Sequence, residues 1–134
     1  MFVDASALVA LLSDETEAAR VSEAILAAAA PITSPVAVLE AALALARADK
    51  LGLSVADAGR MVREFLVDAG IAVRDLPPAD RLTPLALAAA DRYGSGRRRL
   101  NLGDCLHYAC VRHYGVPVLA TADEFRQTDL DVIP

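Results

Sequence analysis

The chain has 134 residues, a formal net charge of −5 and a composition that is 55% hydrophobic, with three Phe, three Tyr and no Trp. That is the size of one domain, 1–134, able to bury roughly two thirds of its unfolded surface, so neither a disulfide nor a metal staple is needed for folding. The N-terminal run MFVDASALVALL lacks a basic leader and no apolar run reaches about eighteen residues, so no signal peptide, membrane span or membrane partner is expected and the protein is assigned to the cytoplasm.

In chain order, Met1 to Asp4 reads as a short buried strand ending at the acid, followed by helices from about Ser6 to Ser13 and from Thr16 to Ala30. Pro31 to Thr33 is a second strand. Ser34 then caps a helix with Pro35 at its first position, where a missing N–H is harmless, and this helix runs to near Lys50-Leu51-Gly52. Ser54, with Asp57 three residues on, resembles a capping box and opens a helix that reaches Gly70. Ile71 to Val73 is a third strand. After Pro77-Pro78, a helix over Leu85 to Tyr93 closes at Gly94, read as a left-handed cap, and Gly94 to Arg99 is a loop. A helix starts at Gly103 and Asp104 and reaches about Tyr114, Val116 to Thr121 contains a fourth strand, and Val132-Ile133 is a candidate fifth. Short apolar strands alternating with helices predict a parallel sheet covered on both faces, with right-handed crossovers. A core built from Ala, Leu and Val favours closely packed helices, and no linker or repeat divides the chain.

Three apolar segments each carry one isolated acid: Asp4 in MFVDASALVALL, Glu40 in PVAVLEAALALA and Asp104 in LNLGDCLHYACV. An ionised carboxylate left unpaired in a core costs several kcal/mol, so something must compensate these groups. In open parallel sheets the functional crevice lies beyond the carboxyl ends of the strands. Asp4 ends the first strand there, Asp123 follows Val118-Leu119-Ala120 by three residues, Asp104 opens a helix, and Glu40 lies six residues into the helix that leaves the second strand. Asp4 and Asp123 would also suit caps, and Asp104 a helix dipole. The joint pattern instead predicts four converging carboxylates. Like charges a few ångströms apart repel, and a divalent cation removes the conflict; carboxylate oxygens and water are the ligands that Mg²⁺ and Mn²⁺ prefer.

Zinc is a poorer match. Cys105, His107, Cys110 and His113 lie on one short helix that cannot wrap four ligands around an ion, and Cys105 and Cys110, about 140° apart on it, cannot form a local disulfide. The acidic net charge argues against nucleic acid, but the thirteen basic residues are twelve Arg and one Lys, and Arg97, Arg98 and Arg99 stand together.

The segments DASAL (Asp4 to Leu8), the lone Glu40, LNLGDCLHYA (Leu100 to Ala109) and PVLATADEF (Pro117 to Phe125) resemble the PIN-domain ribonucleases, specifically the VapC-type toxins of bacterial toxin–antitoxin pairs. The likeness runs from Met1 to about Asp131. It implies a three-layer α/β/α domain, with a central, mostly parallel sheet of four to five short strands, that cuts RNA with Mg²⁺ or Mn²⁺. Carried over by position, it assigns Asp4, Glu40, Asp104 and Asp123 as the acidic set. Ser6 is the small hydroxyl two residues after the first acid, Asn101 stands beside the third, and Thr121 near the fourth. It further implies a homodimer and a small antitoxin protein that lays a helix in an apolar groove. Asp4 and Asp104 are then expected as principal metal ligands, Glu40 and Asp123 as ligands through water or for a second ion, with one carboxylate accepting the proton of the attacking water. Ser6 would steady Asp4, and Arg97, Arg98 and Arg99 would hold RNA phosphates. The loop before LNLGD is shorter than is usual in such toxins.

Other strand-end aspartates fit less well. A haloacid-dehalogenase phosphatase needs a second Asp where Ser6 stands, a receiver domain needs a late Lys whereas the sole lysine is Lys50, and Gly94-Ser95-Gly96 lacks a third glycine and a preceding strand for a dinucleotide loop. The remaining alternative is a PIN-like module that binds RNA or a partner without cutting; it predicts that Asp4→Asn leaves the biological effect intact.

Overall fold

The computed structural model describes residues 1–97 and 99–133. Strand β1 (Phe2–Val3) leads into helices α1 (Ala5–Leu12) and α2 (Ala18–Ala27), then strand β2 (Ile32–Thr33), helices α3 (Pro35–Ala46) and α4 (Val55–Asp68), and strand β3 (Ala72–Val73). Helices α5 (Ala79–Tyr93) and α6 (Leu102–Tyr114), strand β4 (Val118–Leu119), a 3₁₀ turn at Glu124–Gln127 and strand β5 (Val132–Ile133) complete it. The five strands form one sheet in the order β3-β2-β1-β4-β5, and all four pairings are parallel. Phe2 is in register with Ile32 on one side and Val118 on the other.

Chain order runs outward from β1 to β3, then returns across β1 to β4. Right-handed crossovers therefore put the helices of the outward half and those of the returning half on opposite faces. Consistent with this, α1 packs on α2 and α3, α3 on α4, and α5 on α6, while α3 also touches α6. Phe2, Val3, Leu8, Leu45, Val62, Val118, Leu119 and Phe125 fill the core, with Tyr93 and Tyr108 packed in the same cluster. Inside it, the Thr33 hydroxyl donates to Val3 O at 2.8 Å, so this buried polar group is satisfied. The reversal of direction at β1 and β4 opens a crevice at their carboxyl ends, where the next residues are Asp4 and Ala120.

Local differences from the sequence reading have local causes. Helix α5 begins at Ala79 rather than Leu85: Arg81 and Leu82 N–H both reach Pro78 O at 2.8 Å, forming a turn ahead of Pro84, which then interrupts a single rung of the ladder. Gly94 does close α5 but at φ −81°; the left-handed cap belongs to Gly115, φ +64°, at the end of α6. Helix α3 ends at Ala46, because a turn over 47–51 with Gly52 at φ +61° breaks it earlier than expected. The reciprocal capping box also sits elsewhere, on Asn101 and Asp104 of α6. At α4 the Ser54 hydroxyl accepts from Asp57 N–H, while the Asp57 carboxylate accepts from that hydroxyl.

Candidate active site

Asp4 combines two roles that the sequence posed as alternatives. It is the N-cap of α1, with Oδ2 accepting from Ser6 N–H at 2.9 Å and the Ser6 hydroxyl at 2.6 Å, and it stands at the strand-end crevice, only 5% exposed. Its own N–H donates to Leu119 O at 3.0 Å, fixing it against β4. Ser6 Oγ in turn accepts from Thr121 N–H at 3.1 Å. Ser6 therefore ties the ends of β1 and β4 together, and Thr121 contributes through its backbone.

Glu40 projects from α3, whose Ser34 cap and first-turn Pro35 form as expected and whose Ala37, Ala41, Ala42 and Leu45 face the core. Its carboxylate lies against the backbone of α6. A Cβ added to Gly103 would stand 1.8 Å from Glu40 Oε1 and 2.6 Å from Cδ, so the Glu40 carboxylate can occupy this place only because residue 103 is glycine. On the same helix Asp104 completes the capping box: Asn101 N–H donates to Asp104 Oδ2 at 2.8 Å, and Asp104 N–H donates to Asn101 Oδ1 at 3.0 Å. His107, one turn further on, is fully buried, with Nδ1 2.7 Å from Asp4 Oδ1 and Nε2 3.5 Å from Glu40 Oε2.

The electrostatics separate these groups. Burial acts to raise the Asp4 pKa, but the hydrogen bond and charge of His107 together with Ser6 outweigh it and hold the carboxyl below its ordinary value. Glu40 and Asp104 go the other way. Burial raises both, and the negative charge of Asp4 adds to it in each case. Burial would lower the His107 pKa, yet Asp4, Glu40 and Asp104 raise it on balance. The cleft thus holds more negative charge than its own cations neutralise.

The cleft encloses about 550 Å³ and is lined by Asp4, Ser6, Glu40, Asn101, Asp104 and Thr121, so six residues singled out from sequence meet in one place. Asp123 is not part of that lining; it is exposed, with Oδ1 3.3 Å from Arg126 Nε, and the next residue, Glu124, lines the wall instead. A shift of one residue along the 3₁₀ turn decides which acid faces inward. Arg97 and Arg99 are exposed and do not line the cleft, and Arg98 lies outside the described residues. The cations that do line it are Arg47 and Lys50, from the turn after α3, with Lys50 paired to Glu15.

Sequence reasoning gave no part in this site to Gly103, His107, Glu124 or these two cations. Two signals were available: Asp104 and His107 are three apart and share a helix face, and the smallest residue stands directly before the acid.

Among the described residues, no group of three or more His, Cys, Asp and Glu side chains is already drawn together around a single ion position. The donor chemistry nevertheless suits a hard cation. Asp4, Glu40 and Asp104 offer oxygen only, two of them are held above their usual pKa by burial and by the neighbouring negative charge, and the cleft has room for the waters that Mg²⁺ retains while resting on one or two carboxylates. Thiolate ligation is disfavoured: burial raises both cysteines, Cys110 to about 11.

The fold, a five-stranded parallel sheet covered by helices, is shared with solved toxin structures. The structure of Mycobacterium tuberculosis VapC20, a sarcin–ricin loop cleaving toxin, aligns with a TM-score of 0.75 at 17% identity, over 96% of this chain and 95% of that one. A toxin–antitoxin complex from Klebsiella pneumoniae aligns at 0.71 and 15% identity, over 99% and 95%. In sequence, ribonuclease VapC30 of Mycobacterium tuberculosis is 36% identical over 136 residues, spanning 99% of this chain and 98% of its own length. Ribonuclease VapC of Mycolicibacterium smegmatis is 35% identical, spanning 99% of each. The PIN domain family model matches residues 1–130, and the chain belongs to that family.

Proposed function

We propose that this protein is a divalent-cation-dependent ribonuclease, the toxin of a toxin–antitoxin pair, hydrolysing RNA phosphodiester bonds in the cytoplasm. The observation that carries the reading is the meeting of Asp4, Glu40 and Asp104, from β1–α1, α3 and α6, in one open cleft where burial and mutual repulsion raise the pKa of the latter two. Full-length likeness to proteins named VapC ribonucleases supports the RNA substrate.

Asp4 and Asp104 would hold Mg²⁺ or Mn²⁺, with Glu40 acting directly or through water; Glu124 and Asp123, on the adjoining turn, are the candidates for a fourth carboxylate. When bound, the cation supplies a more acidic water and charge compensation at the phosphoryl oxygens. Ser6, anchored by Thr121 N–H, keeps Asp4 Oδ2 oriented, and the capping box fixes Asp104 through Oδ2. A carboxylate with a raised pKa, Glu40 or Asp104, is suited to take the proton of the attacking water. Arg47 and Lys50 line the cleft where an RNA phosphate would enter, and the exposed Arg97 and Arg99 would hold further phosphates together with Arg98 of the same run.

The antitoxin would occupy apolar surface bordering the helices. Leu26 and Val67 are 83% and 79% exposed, and Leu11, Ile25, Leu26 and Phe65 line a groove of about 230 Å³. A homodimer would cover further exposed side chains such as Leu87 and Leu102. No helix among the described residues is long and apolar enough to cross a membrane.

The test is RNA cleavage by the purified protein with Mg²⁺ or Mn²⁺, with a chelator, and by Asp4→Asn. Cleavage that needs the metal and disappears in the folded mutant supports the enzyme. RNA binding with toxicity retained in Asp4→Asn would identify a non-cutting module instead.

A further inference from the structure

His107 is the polar group in the cleft that the carboxylate chemistry leaves without a task. Its side chain is 0% exposed, and its ring packs against Phe2, with centroids 5.6 Å apart. A histidine that only filled space there would gain from pairing both nitrogens or from replacement by an apolar residue. Neither holds. Nδ1 meets Asp4 Oδ1 at 2.7 Å, whereas Nε2 is buried without a hydrogen-bond partner and is directed at Glu40 Oε2, 3.5 Å away.

The consequence for Asp4 is geometric. Ser6 holds Oδ2 and His107 holds Oδ1, so the carboxylate plane is fixed from both sides. Glu40 is confined by the same stretch of α6, with Oε1 against the Gly103 backbone and Oε2 facing the imidazole. A single turn of α6 therefore carries Asp104 and also the surfaces that orient the two acids arriving from elsewhere. Partners of this kind behind metal-binding carboxylates typically change affinity by 10- to 100-fold when removed.

We infer that His107 is a positioning residue, which presets Asp4 through Nδ1–H and Glu40 through the Nε2 edge of its ring to receive a divalent cation. This rests on the metal-dependent reading above and adds a residue that touches neither substrate nor cation. Asn and Gln divide the role. In His107→Asn the side-chain amide N–H overlaps the place of Nδ1 and can still donate to Asp4, while that of His107→Gln reaches toward the place of Nε2.

The experiment is Mn²⁺ binding to the full-length protein, followed by the loss of the free-ion electron paramagnetic resonance signal, with Asp4→Asn as the null control and thermal midpoints recorded for every variant. Expected is a loss of affinity of about tenfold or more in His107→Leu and in His107→Gln, with most of it recovered in His107→Asn. A purely structural His107 would lower thermal midpoints without separating the Asn from the Gln variant. Affinity within about twofold of wild type in folded His107→Leu overturns the inference while leaving the metal reading intact. Should His107→Leu fail to fold, equal affinities in the Asn and Gln variants overturn it. Absence of Mn²⁺ binding by the wild type overturns both readings.

Discussion

Two helix N-termini in this chain look alike in sequence and serve different ends. Ser54 with Asp57 opens α4, and Asn101 with Asp104 opens α6. At α4 the acid is exposed, bonded to the Ser54 hydroxyl and paired with Arg60 on its own helix. At α6 the acid closes a full reciprocal box, yet among the described residues no Arg or Lys is paired with it, and Asp4 and Glu40 are brought up beside it by other elements. A capping pattern settles where a helix starts. What stands opposite decides whether the capping acid is only structural.

The sharpest way to break that contrast is at the glycines. Gly103→Ala would put a methyl group 1.8 Å from Glu40 Oε1, so the Glu40 carboxylate must leave its place; RNA cleavage is expected to fall about 100-fold or more, while the fold shifts by less than about 1 kcal/mol because only the end of a flexible, part-exposed side chain has to move. Gly59→Ala in α4 meets only Ala42 Cβ at 3.9 Å, so helix propensity should make it stabilising by about 0.5–1 kcal/mol with cleavage unchanged. Steady-state cleavage and urea unfolding of both variants measure this. A catalytic Gly103→Ala would remove Glu40 from the site.

Next in size is Asp104→Asn. Because the fold disfavours the charged form of Asp104, removing the charge should raise the thermal midpoint of the metal-free protein while cleavage drops about 100-fold or more. Asp57→Asn, which loses only an exposed ion pair, should shift stability by less than about 1 kcal/mol and leave cleavage intact. Opposite signs in the two assays for Asp104, and near silence in both for Asp57, are the expected signature.

Asp4, Glu40 and Asp104 were legible because each interrupts an otherwise apolar run, and burial makes such interruptions costly unless they have a purpose. The parallel α/β order was legible for a related reason, since strands covered on both faces are uniformly apolar. What the sequence did not disclose depends on which atoms approach across the fold. Gly103 matters through α3 rather than through its own helix, and His107 matters through β1–α1. Glu124 and Asp123 differ by one step along a 3₁₀ turn, where successive side chains point about 120° apart, so spacing after β4 cannot select between them. The arginine run drew attention by composition, but Arg97 and Arg99 stand outside the cleft, which is approached by Arg47 and Lys50.

Titration sharpens the comparison from the α6 side. Glu40 and Asp104 are raised above 4.5 and 3.8, chiefly by burial, so the native state holds protons that the unfolded chain has released and stability falls as pH rises through the raised values. His107 is raised above 6.5; burial opposes this, but the acids prevail, so its contribution is complete below 6.5 and is lost as pH rises through the higher folded value. Asp4, lowered, withdraws stability only as pH falls below 3.8. The metal-free thermal midpoint should therefore decline as pH rises above the ordinary carboxylate values of 3.8 and 4.5 and again above 6.5, and saturating Mg²⁺ or Mn²⁺ should flatten the decline. A metal-free profile that rises over this range would mean that the acids of α3 and α6 are not crowded together.

The smallest effect belongs to the α4 terminus. Ser54→Ala removes the acceptor for Asp57 N–H at 3.0 Å and the donor to Asp57 Oδ2 at 2.7 Å, which should cost about 1 kcal/mol and leave both cleavage and Mn²⁺ affinity as in the wild type. Asn101→Ala removes the bond that its side chain accepts from Asp104 N–H at 3.0 Å, for a similar cost; the Asn101 N–H still holds Asp104 Oδ2, but the first turn that carries Asp104 is loosened, so Mn²⁺ affinity should fall with it. Two caps of nearly equal worth to the fold would then differ in the binding assay alone. If Asn101→Ala binds Mn²⁺ as tightly as Ser54→Ala, the box at α6 holds the helix and not the site.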